Sequence, residues 1–391
     1  MARRKIGIVF YNTPEWIGGV YYILNLVSAL KRLPNEQKPH LVIFTEQEDD
    51  FTMVQQTGYP YLSVRYFPQY FHLPEKSLEK KINAWSQRLF RRNLLERRPT
   101  ANDAKVVFPL NLWHKSFNRY FSLIPHKIYW IADFQERKLP QLFDESELAD
   151  RKRFQEMLAR GRKNVVFSSN SAAQEFRHYY PEATTHVHVM PFAVTHPPYQ
   201  HLDLDAIRQK YGLTQPYFFS PNQFWVHKNH RIVLEAIKVL SRTQPDFVVA
   251  FSGKQEDYRV ANHFQSLQDF IQENHLNKYV RFLGFLDRDE QLKIMEGAEA
   301  IIQPSLSEGW STVVEDAKAM NQRVLASNLD VHQEQLHEQG QYFDPTDASE
   351  LAQLMQKALA VDRDRPAFKY DESVDFFAER FLHIVDSITA K

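Results

Sequence analysis

The residues best suited to chemistry stand in one short stretch, "SLSEGWSTVVEDAKAM" (305–320). In it Glu308 and Gly309 precede Trp310, Ser311, Thr312 and Val313, and two adjacent acids follow, Glu315 and Asp316. Thr312 and Glu315 have the T-x-x-E spacing of a capping box, in which a hydroxyl and a carboxylate each satisfy an orphan amide at a helix start. Val313, Val314, Ala317 and Met320 then give the apolar stripe of that helix. Glu315 thus has a structural explanation. Asp316, about 100° further round, is either a solvated partner of the helix dipole or a ligand contact. A carboxylate at Glu308 beside the free amides of a helix N-terminus suits a ligand that carries both hydroxyls and phosphate.

Other candidates fall at strand ends and helix starts. Gly18-Gly19 open a helix after the first apolar run, where absent side chains let a phosphate or sugar approach the backbone. The G-x-G-x-x-G dinucleotide pattern is absent there. Lys228 stands at a helix start, Asp133 and Gln135 follow one strand, Gly253 ends another, and Leu283 and Gly284 leave a third. Each has a plain reading as a turn or surface residue. The sixteen histidines form no H-E-x-x-H pattern and no convincing ligand set, so no metal is expected. No G-x-S-x-G elbow offers a serine nucleophile.

The elements that must position these residues form an α/β pattern. Short apolar runs at 5–10, 40–45, 105–110, 127–133 and 164–170 alternate with helical patterns, among them Val20–Leu33 and a segment opened by a second capping box, Ser171 to Gln174. A second series follows at 217–222, 247–253, 279–285, 300–305 and 323–327, with helices expected over 229–242, 259–274, 288–297 and 312–321. Three prolines in "MPFAVTHPPY" (190–199) mark a break. The expectation is two doubly wound, Rossmann-like domains facing a cleft, residues 1–192 and 193–370, with an amphipathic C-terminal helix over 371–391.

At 391 residues the chain suits two domains. Its 48 basic and 48 acidic residues balance, so nothing in the totals calls for nucleic acid. Cysteine is absent, which removes disulfides and thiolate sites and fits a reducing compartment. No run approaches the roughly 18 apolar residues of a membrane span, and the N-terminal apolar run is too short for a signal peptide; a soluble, cytoplasmic protein is expected. Residues 76–98 hold eight basic residues against two acids, with Ile82, Trp85, Leu89 and Leu94 between them. That segment is either a surface helix with a solvated basic face or a peripheral contact with the inner membrane face. The aromatic run 59–74 lines an acceptor pocket or packs as core.

The 305–320 stretch resembles the E-x7-E segment of retaining glycosyltransferases of the GT-B fold, family 4. Glu308 falls on the first acid and Asp316, shorter than the usual glutamate, on the second. "SPNQFWVHKNHRIVLEAI" (220–237) resembles the same family's strand-loop-helix, with Lys228 in the diphosphate-binding lysine position and Gln223 where an arginine is usual. "KIYWIADFQERKLPQLF" (127–143) places Asp133 on a family aspartate and Ala132 where many relatives have histidine. Gly18-Gly19 resembles the glycine-rich acceptor-side loop, Gly253 the glycine beside the donor, and Leu283-Gly284-Phe285 the loop that meets the base.

The resemblance implies a metal-independent transfer from a nucleotide-diphosphate sugar, UDP- or GDP-linked, to a glycan, lipid-linked or small-molecule acceptor, with retention. No cofactor is implied, since the nucleotide sugar is a substrate. Lys228, the amides around Thr312 and Val313, and Gly19 would stabilise the leaving group, Glu308 would hold the donor sugar and Asp316 the ribose. A sugar-nucleotide epimerase, a glycan phosphorylase and a catalytically silent binding subunit are the alternatives.

Overall fold

The computed structural model describes residues 3–12, 17–67, 78–90, 98–111, 117–244, 246–361 and 365–390. Two parallel sheets organise the chain. The first contains β1 (Lys5–Val9), β2 (His40–Thr45), β3 (Leu62–Tyr66), β4 (Val106–Leu110), β5 (His126–Ile131), β6 (Asn164–Phe167) and β7 (His186–Val189), in the order β3-β2-β1-β4-β5-β6-β7. The second contains β8 (Tyr217–Pro221), β9 (Val248–Ser252), β10 (Val280–Phe282), β11 (Ile301–Gln303), β12 (Val324–Ser327) and β13 (Gln341–Phe343), in the order β10-β9-β8-β11-β12-β13. Each is a Rossmann-like doubly wound sheet whose strand order reverses at its first strand.

Central strands such as VVFPL and VVAFS are buried at every residue, because helices cover both faces and leave no side for polar groups. Outer strands behave differently. β3 (LSVRY), β7 (HVHV) and β13 (QYF) lie at sheet edges, are mostly half-buried and mix polar with apolar residues. The apolar-run criterion passes over all three. Of the aromatic run 59–74, residues 59–67 are described: Tyr59 and Phe67 pack in the core, while Tyr61 and Tyr66 are half-buried, and none of them lines the cleft.

The helix Tyr370–Thr389 follows the second sheet but packs on the first. Its Val374, Phe377, Phe381 and Val385 join the core beneath the helix Ile17–Arg32. Tyr22 stacks on Trp130 at 4.2 Å between ring centroids and meets Phe377 at 5.7 Å, while Phe381 lies 5.5 Å from Phe108. Such aromatic contacts add to an area burial that is already large for each ring.

Two expected caps move. The helix expected from Ser171 spans Asn170–Tyr179, and its N-cap is Ser169, whose side chain accepts from the Ala172 amide. The helix after β11 spans Thr312–Ala319, and its N-cap is Ser311, which accepts from the Val314 amide at 3.3 Å. In each case a serine just upstream already has extended backbone dihedrals, so its hydroxyl reaches the third amide beyond it. The expected 259–274 helix begins later, at His263, which leaves Arg259 in the preceding loop. Among the described residues no helix is long and apolar enough to cross a membrane.

Candidate active site

The C-terminal ends of both sheets open onto one cleft of about 760 Å³. Residues after β5, β8, β9, β10 and β11 line it, as the topology of doubly wound sheets requires. Of the residues singled out in the sequence, Gly18, Asp133, Gln223, Lys228, Gly253, Glu308 and Asp316 line this cleft, and so does the run Gly309, Trp310, Ser311, Thr312 and Val313. Gly19, Leu283 and Gly284 do not. Gly19 is buried inside its helix, and the cleft wall after β10 is instead made by Phe285 and Leu286.

Lys228 and Glu308 form the centre of the second-domain wall. The Lys228 ammonium donates to Glu308 Oε1 at 2.6 Å, and the same oxygen accepts from Gln303 Nε2 at 2.8 Å and Ser305 Oγ at 2.7 Å. Asn222 Nδ2 donates to Gln303 Oε1 at 3.0 Å and so fixes which way that amide points. Among the described residues Oε2 of Glu308 accepts no hydrogen bond. Burial pushes the Glu308 carboxyl up, but Lys228, His332 and the hydrogen bonds together hold it below the ordinary carboxylate range. His332 is fully buried behind it and held below the usual imidazole range by that burial, which Glu308 only partly offsets.

Asp316 is not the solvated acid that the first of its two sequence readings allows. Its side chain is 1% exposed. Oδ1 accepts from Arg288 and from His196 Nε2 at 3.1 Å, and Oδ2 accepts from Arg288 Nη1 at 2.8 Å. Burial raises its carboxyl, yet the Arg288 charge and the bonds from Arg288 and His196 bring it below its usual range. Glu315 turns the other way. It accepts from Lys318 at 2.9 Å, Gln335 at 3.0 Å and the Tyr370 hydroxyl at 2.7 Å, and makes no return bond to the helix cap. The capping-box reading of Glu315 is therefore replaced by an interior ion pair.

The first domain approaches mainly with backbone. A β-carbon on Gly309 would lie 2.2 Å from the carbonyl oxygen of Ala132, so the two domains meet here only because residue 309 has no side chain. Trp310 Nε1 donates across the seam to the Phe192 carbonyl at 2.9 Å. Asp133 Oδ1 accepts from the Gln135 amide at 3.2 Å and so shapes the turn after β5. Of the basic segment 76–98 only 78–90 and Arg98 are described; the helix Leu78–Phe90 exposes Leu78, Trp85 and Leu89.

Sequence reasoning missed Arg288, Arg259, Gln303 and His332. Arg288 had a signal, since a cation on the first turn of a helix opposes the helix dipole and needs another reason. Gln303, a polar residue ending the apolar run AIIQ, had one too. His332 had none.

With this geometry in place, the chain can be set against known proteins. Residues 203–372 match the family model of glycosyl transferases group 1. That region holds the whole second sheet with its Lys228, Glu308 and Asp316. No curated protein matches the chain. Among solved structures, HepE from Anabaena in complex with UDP and glucose is 16% identical, with a TM-score of 0.66, over 99% of this chain and 98% of its own. Sucrose-phosphate synthase from Thermosynechococcus elongatus is 16% identical at a TM-score of 0.62, over 99% and 95% of the two chains. A UDP-forming α,α-trehalose-phosphate synthase from Burkholderia xenovorans is 11% identical at 0.64, over 99% and 100%. The fold is the two-domain GT-B arrangement of these glycosyltransferases.

Proposed function

We propose that the protein transfers a sugar from a nucleoside-diphosphate sugar to an acceptor hydroxyl, with retention of configuration and without a metal ion. The observation that carries this reading is the Lys228–Glu308 pair in the interdomain cleft, where one carboxylate oxygen takes three donors and the other is left toward the ligand space. Lys228 and the first-turn amides of Thr312 and Val313, which helix geometry leaves without intrahelical partners, would face the diphosphate as charge develops on it. Glu308 Oε2 would accept from donor-sugar hydroxyls. Asp316 Oδ2, with one donor, retains a lone pair for a ribose hydroxyl. HepE in complex with UDP and glucose makes a UDP-sugar the first donor to try. Retention follows the sequence resemblance alone.

The test is the release of nucleoside diphosphate from UDP-, GDP-, ADP- and TDP-sugars with and without an acceptor panel, with the product anomer read by NMR. Acceptor-dependent release with an unchanged anomeric centre supports the reading. Conversion of donor without acceptor points to an epimerase, and tight binding without turnover to a silent subunit, for which Gln223 and Ala132 are the motive. We further propose that the exposed Leu78, Trp85 and Leu89, with Lys81 and Arg88 beside them, rest on an anionic bilayer. Failure to sediment with phosphatidylglycerol vesicles at low salt would sink that idea.

A further inference from the structure

Among the described residues that line the cleft, the arginines and lysines are Arg151, Lys228, Arg259 and Arg288. Three of them donate to carboxylates: Arg151 to Glu147 at 2.8 Å, Lys228 to Glu308 at 2.6 Å and Arg288 to Asp316 at 2.8 Å. Arg259 differs. Its guanidinium donates to two neutral acceptors, Gln135 Oε1 at 3.2 Å and His227 Nδ1 at 3.3 Å. His227 is neutral because burial, with the Lys228 and Arg259 charges, holds it well below the usual imidazole range. Arg259 Nε forms a buried ion pair with Asp257 Oδ1 at 3.5 Å but does not hydrogen-bond it, and Asp257 already accepts the Val226 and Arg259 amides at 2.9 and 3.0 Å.

The Arg259 side chain is only 6% exposed, yet its Nε has no hydrogen-bond partner among the described residues. Phe143, Trp225 and Tyr258 surround the guanidinium with ring centroids 5.2, 5.2 and 5.3 Å away, which holds its position without using its N–H groups. A buried fork fixed by rings, ion-paired to Asp257 only through Nε and with no carboxylate on its terminal nitrogens, keeps donors suited to an anion with two oxygens. It touches the residue beside Lys228 and also Gln135 of the first domain, so an anion bound there would meet two cations at the seam. The strand-exit position five residues before Lys228 holds only the neutral Gln223.

We propose that Arg259 binds the diphosphate of the donor, supplying from the loop after β9 the charge that Gln223 does not. The inference rests on the glycosyltransferase reading. The experiment is calorimetric titration of the full chain with UDP, GDP, ADP and TDP and with the nucleoside of whichever binds. Arg259→Gln should weaken the diphosphate by about tenfold or more and leave the nucleoside unchanged, at a thermal midpoint that shows the chain folded. Arg259→Lys should lose less, and Gln223→Arg added to Arg259→Gln should regain affinity, which a packing role would not produce. Equal diphosphate affinity in wild type and Arg259→Gln, equal losses for diphosphate and nucleoside, or no rescue by Gln223→Arg would each overturn the role of Arg259. If the wild type binds no nucleoside diphosphate at all, the donor reading itself falls, and the inference with it.

Discussion

Replacing Glu315 by alanine separates the two adjacent acids by what they do. Glu315 is 1% exposed and serves three donors, Lys318, Gln335 and the Tyr370 hydroxyl, at 2.9, 3.0 and 2.7 Å. Its removal strands the Lys318 ammonium, itself only 11% exposed, and frees the Tyr370 hydroxyl, which also accepts the Val194 amide at 2.8 Å between the domains. Breaking a buried pair by deleting one partner costs about 3–5 kcal/mol. The hydrogen-bond losses overlap with that figure and are not added to it. For a unit of this size each kcal/mol moves the thermal midpoint by about 2–4 °C, so Glu315→Ala should melt about 6–20 °C lower. The assay is a thermal scan, paired with transfer activity measured well below the lower midpoint. There the variant should retain most of its turnover, since no Glu315 contact faces the cleft. A midpoint within about 2 °C of wild type, or turnover lost from a chain that is still folded, refutes the argument.

Three further outcomes follow from the same geometry. Glu308→Gln should keep the network on Oε1 but turn the second oxygen into a donor, lowering kcat/KM by about a hundredfold while nucleoside binding holds; equal loss of nucleoside binding counts against a sugar-facing role. Gly309→Ala places a β-carbon 2.2 Å from the Ala132 carbonyl and should spread the seam, cutting transfer by about tenfold or more with an almost unchanged midpoint; full activity would show that the domains need not meet here. On acidification stability should fall in two windows. His227, His230 (brought down to about 3) and His332 are buried neutral, so their contribution is complete above the free imidazole value near 6.5 and declines as pH falls below it. Glu308 and Asp316, with depressed pKa values, lose theirs only below about pH 4. A midpoint flat from neutral pH to about 5 would contradict the histidine part.

The central strands and most cleft loops were legible because full burial forces apolar runs, and loops at strand ends collect glycine, acids and lysine. β3, β7 and β13 were not, since these three edge strands are mostly half-buried and mix polar with apolar residues; the edge strand β10 was visible through the apolar run 279–285 that contains it. Glu308 and Lys228 could be named from their setting, but not that they bond each other across 80 residues of sequence. The same holds for Asp316. Its acid was visible, while its partners Arg288 and His196 come from two other segments, and sequence spacing carries no record of a distance between them. Glu315 was assigned to structure for a local reason, a cap, and the observed cause is long-range, a carboxylate shared with Gln335 and the C-terminal helix.

The division between the two walls of the cleft has a physical consequence. On the second-domain wall the acids are already paired: Glu308 with Lys228 and Asp316 with Arg288, each carboxyl held ionised below its usual range. No reorganisation is then needed to charge these groups when a ligand arrives, which is the condition under which fixed charges are most effective. The first domain meets that wall through the Ala132 and Phe192 carbonyls and the rigid contact at Gly309, none of which titrates. Glu334 adds one charged strut, accepting the Asn170 and Ser171 amides at 2.8 and 3.1 Å at the start of the helix Asn170–Tyr179. A carboxylate there meets the positive end of the helix dipole, so the strut stays favourable without a cationic side chain as partner. The seam thus combines these backbone contacts with the Arg259–Gln135 bond, and the ion pairs Lys228–Glu308 and Asp316–Arg288 are the charges set in advance on the second-domain wall, opposite Asp133 and Arg151 of the first.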